Sequence, residues 1–193
     1  MSGNGTTSVL FAGVGGQGIV LASGILASAC LEAGHDVKGS EVHGMAQRGG
    51  SVTSHVRFGP RVVSPTIPAG EADFVVGFEL LESLRACDQL APHGTVVANL
   101  QRIDPITVAS GAAQYPAGLP ERIRQRCERA VFVAALEIAR QAGSVRAANM
   151  ALLGCLSARL PLELDLWQRT IERRVPARTL PTNWEAFTRG RGV

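Results

Sequence analysis

A glycine-rich segment directly follows the first apolar run of this 193-residue chain and could bind an anion. Residues 8–12 read Ser-Val-Leu-Phe-Ala, and residues 13–18 read Gly-Val-Gly-Gly-Gln-Gly, which fits the spacing G-x-G-x-x-G. A strand that continues through such a segment into a helix gathers free backbone N–H groups at the positive end of the helix dipole. Because phosphate and carboxylate bind there, the candidate ligand-binding residues are Gly13, Gly15, Gly16, Gln17 and Gly18.

The glycines of this motif have different expected roles. Gly13 is expected to turn the chain, Gly15 to allow close approach of a ligand, and Gly18 to let the helix lie against the sheet. The Gln17 amide can either contact a ligand or cap the helix, and the residue type fits both roles.

A second polar, glycine-rich segment follows downstream, where residues 41–50 read Glu-Val-His-Gly-Met-Ala-Gln-Arg-Gly-Gly. Arg48 offers a planar, charged fork to phosphate or carboxylate. Two glycines directly after it would let the backbone approach the same ligand closely. The candidate ligand-binding residues of this segment are Glu41, His43, Gln47, Arg48, Gly49 and Gly50.

Several of these polar residues also have a purely structural interpretation. Glu41 could order its loop by accepting from backbone N–H groups instead of binding a ligand. His43 is either an interface or proton-handling residue or a histidine that holds the loop by a hydrogen bond. No spacing of Ser, His, Asp or Cys indicates a nucleophile or base, so the catalytic residues are unknown at this level.

Composition indicates a folded protein and argues against several classes of partner. Apolar residues make up 46% of the chain and charged residues 18%, which is typical of a globular domain. The formal net charge is only +3, and glutamates interrupt the arginine-rich stretch at residues 121–129. This stretch predicts a solvated helix face rather than a nucleic-acid surface. No apolar run approaches the ~18 residues of a membrane-spanning helix.

The four cysteines are scattered along the chain and form no C-x-x-C pair. Their spacing predicts reduced thiols in a cytoplasmic protein and offers no ligand set for an iron–sulfur cluster or a structural zinc ion. No metal ligand is therefore assigned. Residues 1–7 are small and polar and lack the charged region of a signal peptide.

Hydrophobic patterning predicts strands that alternate with helices over the first two-thirds of the chain. Strands are expected at residues 8–12, 36–40, 51–58, 72–78, 94–98 and 131–133, with residues 62–64 as a hairpin partner of the third. Helices are expected at residues 17–33, 79–90, 134–141, 149–159, 164–173 and 183–189. This order indicates one α/β domain over residues 1–193: a three-layer α/β/α, Rossmann-like fold with a mostly parallel, mixed sheet and a helical C-terminal third.

The expected topology brings the two glycine-rich segments together, because ligands bind outside the carboxyl ends of the strands in a doubly wound sheet. Asp36 lies about 20 residues after the motif, where a dinucleotide-binding enzyme holds a ribose hydroxyl, so a freestanding NAD- or FAD-dependent oxidoreductase is one alternative. A non-catalytic protein that binds acyl-CoA or a similar anion is another.

Three polar residues outside the two segments have local interpretations. Glu79 follows a predicted strand and is either a site residue or a carboxylate at a helix N-terminus. Asn149 is predicted to be a helix N-cap. His55 is predicted to be exposed and structural.

Both segments together resemble the gamma-type subunit of 2-oxoacid:ferredoxin oxidoreductases. The matching residues are Gly-Val-Gly-Gly-Gln-Gly-Ile at 13–19, the whole of 41–50 and Ser51 to Arg57. Further matches continue through Gly70-Glu71-Ala72-Asp73 and Asn149-Met150 to Asn183, so the resemblance extends from residue 8 almost to the C-terminus. The version at residues 43–48 is most similar to the small, or beta, subunit of the indolepyruvate:ferredoxin oxidoreductases.

This resemblance implies a subunit of an enzyme that oxidatively decarboxylates an aryl 2-oxoacid, with coenzyme A accepting the acyl group and ferredoxin the electrons. It also implies that a larger partner subunit holds thiamine diphosphate and 4Fe-4S clusters, while this chain alone holds no cofactor. The glycine-rich loops would then form part of the coenzyme A site or face the thiamine diphosphate across the subunit boundary.

Overall fold

The computed structural model describes residues 5–43 and 50–193, and these residues form a six-stranded sheet. Its strands are β1 (Thr7–Val14), β2 (Asp36–His43), β3 (Ser51–Gly59), β4 (Ala72–Gly77), β5 (Leu90–Asn99) and β6 (Ala130–Val133). They lie in the order β2-β3-β1-β4-β5-β6. β3 is antiparallel to both of its neighbours, whereas β1, β4, β5 and β6 are parallel. The predicted mixed, mostly parallel sheet is confirmed.

Helices cover both faces of this sheet and complete the three layers. They are α1 (Ile19–Glu32), α2 (Leu80–Ala86), α3 (Ile106–Ala109), α4 (Leu119–Arg126), α5 (Ala135–Gln141), α6 (Ala148–Ser157), α7 (Leu164–Arg174) and α8 (Leu180–Arg191). α1 and α5 to α8 pack on one face, and α2 and α4 on the other. The helical C-terminal third is also as predicted. Among the described residues, no helix is both long enough and apolar enough to cross a membrane.

The burial of β1 explains its uninterrupted apolar sequence. Val9 and Phe11 belong to the hydrophobic cluster on the α1 face, and Leu10 and Ala12 to the cluster on the α2 face. Successive side chains of a strand point to opposite faces, so a strand covered on both sides needs apolar residues at every position. The central position of β1 therefore follows from its sequence.

β3 is covered on one face only. Val52, Val56 and Phe58 pack on the α1 side, while Thr53 and His55 are only half-buried on the other side. The period-two pattern of residues 51–58 is the consequence of this one-sided cover.

The strand directions bring several strand ends to one edge of the sheet. β1 and β2 are each antiparallel to β3, so they are parallel to one another and to β4. The chain leaves β1 for α1 on one face and leaves β4 for α2 on the opposite face. A crevice forms outside the carboxyl ends of the strands at such a change of side.

Two local predictions were wrong. Residues 62–64 form no strand, because both edges of β3 are already paired with β1 and β2. The N–H of Val62 instead donates to the Asp36 carboxylate over 2.7 Å. α1 begins at Ile19 rather than residue 17, because Gly18 has a φ of 78°, which a right-handed helix does not accommodate.

The backbones of α6 and α8 are in direct contact. A Cβ atom added at Gly154 would lie 2.0 Å from the carbonyl oxygen of Phe187, and one added at Gly190 would lie 2.0 Å from that of Ala151. The two glycines thus allow a helix crossing that any larger residue would push apart. This crossing holds α6, which carries Asn149 towards the glycine-rich turn.

We expect Gly154→Ala to lower the free energy of unfolding by about 3 kcal/mol, because the added methyl group forces the two helices apart. Urea-induced unfolding measures this change. Gly39→Ala in β2 is the control, because its Cβ would meet only the His55 carbonyl oxygen at 3.4 Å, an ordinary contact. An unfolding midpoint of Gly154→Ala equal to that of the control would contradict the close crossing.

Candidate functional site

A cavity of about 360 Å³ opens at the carboxyl ends of β1, β4 and β5. Its wall includes Gly16 and Gln17 from the turn after β1, Gln101 from the segment after β5, and Arg146 and Asn149 from the region that begins α6. It occupies the crevice where α1 and α2 leave the sheet on opposite faces. Both the size and the position are typical of small-molecule sites in α/β proteins.

The two glycine-rich segments meet at this edge. The N–H of Gly15 donates to the carbonyl oxygen of Gly50 over 3.1 Å, and Val14 of β1 is aligned with Ser51 of β3. The predicted convergence of the segments is therefore confirmed. Of the other predicted residues of the second segment, Gln47, Arg48 and Gly49 lie outside the described residues. Whether any residue of these segments binds a ligand stays a prediction.

The first residues of the second segment extend β2 rather than forming a loop. Glu41 is aligned with Ser54, and the backbone of His43 is aligned with Val52. Glu41 lines a different cavity, beside Ser23 of α1, and not the cavity at the strand ends. The expectation that Glu41 lies in a loop was wrong, because pairing with β3 continues to residue 43.

The motif glycines are required for reasons that differ from the expected ones. Gly13 lies within β1 and does not turn the chain; a Cβ there would be 2.7 Å from both Gln17 and the Phe78 side chain. The turn is made by Gly16, at a φ of 97°, and by Gly18. A Cβ at Gly18 would lie 2.5 Å from the Asn149 amide nitrogen, so this glycine lets α6 approach the turn.

The Gln17 side chain joins three parts of the molecule. Its Oε1 accepts from the N–H of Val14 over 2.8 Å. Its Nε2 donates to the Phe78 carbonyl oxygen over 2.8 Å and to Gln101 Oε1 over 3.0 Å. Both amide protons are thereby engaged, so Gln17 builds the cavity floor through contacts with β1, the end of β4 and the segment after β5.

Asn99 and Gln101 are site residues that the sequence reasoning missed. Asn99 Nδ2 donates to the Phe78 carbonyl oxygen over 3.0 Å and to Gln101 Oε1 over 3.1 Å, while Asn99 Oδ1 accepts from the N–H of Ala135. The signal available in the sequence was their position directly after a predicted core strand, where site residues collect.

Glu79 anchors the wall beside this network. Its carboxylate accepts from the N–H groups of Leu81 and Glu82, which makes it the N-cap of α2, and from the N–H of Ile103. The structure thus bears out the helix-terminus interpretation of Glu79. Tyr115 also donates its hydroxyl to Glu79, and burial and this hydrogen bond raise the pKa of the Tyr115 phenol.

Asn149 is not the N-cap that local sequence predicted. It is the second residue of α6, and the N-cap is Ala147. Its Nδ2 donates to the Gly18 carbonyl oxygen over 3.3 Å. A hydrogen bond to a residue that is distant in the sequence has therefore taken the place of the predicted N-cap hydrogen bond.

His55 has the structural role that was predicted for it but is half-buried rather than exposed. Its Nδ1 accepts from the N–H of Ile67 over 3.2 Å. Burial lowers the pKa of the His55 imidazole, which favours this neutral, accepting form.

Positive charge and hydrogen-bond donors line the cavity and its neighbour. A second cavity, of about 440 Å³, shares Arg146 and Asn149 with the first and adds Arg178, Thr182 and Asn183. Among the described residues, neither cavity has an aspartate or glutamate in its wall. Arg146 and Arg178 are exposed and form no ion pair with any carboxylate that the structure describes. The arrangement can therefore attract an anionic ligand.

The cysteines do not form a reactive or metal-binding group. All four thiols are free and buried, and burial raises the pKa of Cys30 to about 12 and that of Cys87 to about 11. Within residues 5–43 and 50–193, no three His, Cys, Asp or Glu side chains are grouped so that they could hold a metal ion.

The chain belongs to the pyruvate ferredoxin/flavodoxin oxidoreductase family, whose model matches residues 8–193. It is 39% identical to the indolepyruvate oxidoreductase subunit IorB of Thermococcus kodakarensis over 189 residues, which cover 95% of this chain and 93% of that protein. The resemblance to gamma-type subunits is therefore confirmed.

Solved structures share the fold at lower identity. The gamma subunit of a keto/oxoacid ferredoxin oxidoreductase from Geobacter sulfurreducens matches with a TM-score of 0.71 and 21% identity, over 96% of this chain and 94% of that one. A 2-oxoglutarate:ferredoxin oxidoreductase from Magnetococcus marinus, with 2-oxoglutarate, coenzyme A and succinyl-CoA bound, matches with a TM-score of 0.75 and 21% identity. The match covers 97% of this chain and 31% of that longer one.

We expect Gln17→Glu to destabilise the protein in a pH-dependent way. The new carboxylate would face two acceptor oxygens, on Phe78 and Gln101, which raises its pKa above the ordinary value of about 4.3. A raised pKa in the folded state means that stability is retained at low pH and lost as the pH rises through that pKa. The loss in unfolding free energy, about 2–3 kcal/mol near pH 8, should therefore shrink near pH 4.5.

Urea unfolding of wild type and variant at both pH values measures this difference. Gln125→Glu adds the same charge at an exposed position of α4 and should change stability little at either pH. A loss for Gln17→Glu that is the same at both pH values would contradict the assigned orientation of the Gln17 amide.

Proposed function

We propose that this chain is the small subunit of an aryl 2-oxoacid, or indolepyruvate-type, ferredoxin oxidoreductase, and that its whole length forms one gamma-type domain. The observation that carries the proposal is 39% identity to a curated indolepyruvate oxidoreductase subunit over almost the full length of both chains. In this proposal the chain contributes to coenzyme A-dependent oxidative decarboxylation and is inactive without its partner.

Coenzyme A is the proposed ligand of the two neighbouring cavities, which share Arg146 and Asn149 in their walls. It is an elongated molecule that carries several phosphate groups. The described walls of the cavities offer two guanidinium groups, from Arg146 and Arg178, that form no ion pair with a described carboxylate, and these walls contain no acidic side chain. No described group accepts a hydrogen bond from the N–H of Gly16. This N–H is therefore available to an anion at the glycine-rich turn. These residues would hold and orient the cosubstrate. Arg48 is proposed to contribute from the second segment.

A larger partner subunit is proposed to hold thiamine diphosphate and the 4Fe-4S clusters and to pass electrons to ferredoxin. The described part of this chain has no cluster of thiolates that could ligate iron. Three apolar side chains near this edge are exposed by about half or more: Val145 (48%), which lines the cavity, Leu100 (50%), which directly precedes the cavity-lining Gln101, and Ile106 (69%), which begins α3. We place the partner over this edge, where it would cover these side chains and bring its own cofactor to the cavity. A cytoplasmic location stays a prediction from the cysteine spacing.

The alternative of an NAD- or FAD-dependent enzyme finds no support at Asp36. This residue begins β2 and accepts from the N–H of Val62, at the amino edge of the sheet. Because β2 has eight residues, Asp36 lies about 25 Å along the strand from the glycine-rich edge. It therefore cannot hold the ribose of a nucleotide bound at the turn.

Co-expression with the proposed large subunit tests the proposed function. We expect the two chains to co-purify and the complex to reduce ferredoxin with indolepyruvate and coenzyme A, whereas neither chain alone does so. Full activity of the large subunit alone, or failure to co-purify, would contradict the proposal. Binding of coenzyme A by this chain without any activity of the complex would favour a non-catalytic, acyl-CoA-binding protein instead.

We expect Arg146→Gln to raise the KM for coenzyme A about 10-fold in the complex, because a charge-assisted hydrogen bond to an anion contributes about 1.4 kcal/mol or more. The KM for the 2-oxoacid should change little. Arg122→Gln on α4, an exposed position on the other face of the sheet, is the control. An unchanged KM for coenzyme A in Arg146→Gln would show that Arg146 does not contact coenzyme A.

A further inference from the structure

Backbone groups fix the orientation of two side-chain amides at the cavity floor, those of Gln17 and Asn99. A backbone N–H can only donate, so the N–H of Val14 identifies its partner on Gln17 as the oxygen Oε1. In the same way, the N–H of Ala135 identifies its partner on Asn99 as Oδ1. The NH₂ groups of Gln17 and Asn99 must then be the atoms that both face the Phe78 carbonyl oxygen.

These two NH₂ groups also determine the orientation of Gln101. Gln17 Nε2 and Asn99 Nδ2 reach the same atom of Gln101, at 3.0 Å and 3.1 Å, and two donors require an acceptor, so this atom is Oε1. The Gln101 backbone is held as well, because its carbonyl oxygen accepts from the N–H of Leu80 over 2.9 Å. The NH₂ group of Gln101 is therefore directed away from the network.

The NH₂ group of Gln101 has no hydrogen-bond partner among the described residues. It is also not one of their buried, unsatisfied polar atoms, so it is accessible to solvent, and Gln101 is one of the residues that line the cavity. A donor held in place before a ligand arrives loses little entropy when it binds one. Arg146 and the N–H of Gly16 supply further donors around the same space.

We propose that Gln101 is a ligand-contacting residue of this site and that its Nε2 donates a hydrogen bond to an acceptor oxygen of the anionic substrate. Gln17 and Asn99 are positioning residues, which act by holding the Gln101 amide in this one orientation. The proposal rests on the proposed function, since both substrates of that reaction carry such oxygens: the phosphates and amide carbonyls of coenzyme A, and the carboxylate of the 2-oxoacid.

Gln101→Glu in the complex with the large subunit separates ligand contact from a structural role. The variant keeps an oxygen that accepts from Gln17 and Asn99, so its melting temperature should stay within about 2 °C of wild type. The outward NH₂ becomes an oxygen that repels an acceptor, so the KM of the contacted substrate should rise at least 10-fold. Gln125→Glu, exposed on α4, adds the same charge away from the cavity and should leave both KM values unchanged.

The two substrates form the arms of this experiment. A raised KM for coenzyme A alone identifies an oxygen of coenzyme A as the partner of Gln101, and a raised KM for indolepyruvate alone identifies its carboxylate. Unchanged KM values in an active, folded variant overturn the proposal while the proposed function stands. A large fall in melting temperature also overturns it, because the deduced orientation predicts none. An inactive wild-type complex overturns the proposed function and this inference with it.

Discussion

This site depends on the hydrogen bonds by which side-chain amides link the ends of the strands. Where a parallel sheet ends, backbone N–H and C=O groups lose their ladder partners and need others if they are buried. Gln17 supplies both an acceptor and a donor: it accepts from the N–H of Val14 and donates to the Phe78 carbonyl oxygen. Asn99 donates to the same oxygen. These side-chain amides thus complete the backbone hydrogen bonding at the strand ends and line the cavity there.

The carboxylate of Glu79 extends this organisation to the segment after β5. A buried charge is tolerated when hydrogen bonds satisfy it, and Glu79 accepts from the N–H groups of Leu81, Glu82 and Ile103 and from the Tyr115 hydroxyl. The same residue therefore starts α2 and fixes the backbone two residues after Gln101. The Glu79 side chain therefore holds both the start of α2 and the segment after β5 in place.

The charge distribution of the site differs from that of the chain as a whole. The chain is nearly balanced in formal charge, yet the walls of the two cavities, as far as the structure describes them, contain arginines and no acidic residue. This separation gives a local positive potential without a strongly basic protein. A local positive potential of this kind is consistent with the anionic cosubstrate proposed for the site.

The sequence by itself determined the elements whose signals are local: the buried strand β1, the glycine-rich turn, the period-two strand β3 and the family to which the chain belongs. It did not determine which polar side chains meet. Gln17 and Gln101 are 84 positions apart, and Asn149 and Gly18 are 131 apart. Contacts of this kind depend on the order of strands in the sheet and on the helix crossing at Gly154, which no local pattern encodes. Local rules therefore predicted an N-cap at Asn149 and a turn at Gly13. In the folded protein, Asn149 instead donates to the Gly18 carbonyl oxygen, and Gly13 lies within β1 close to Gln17 and Phe78.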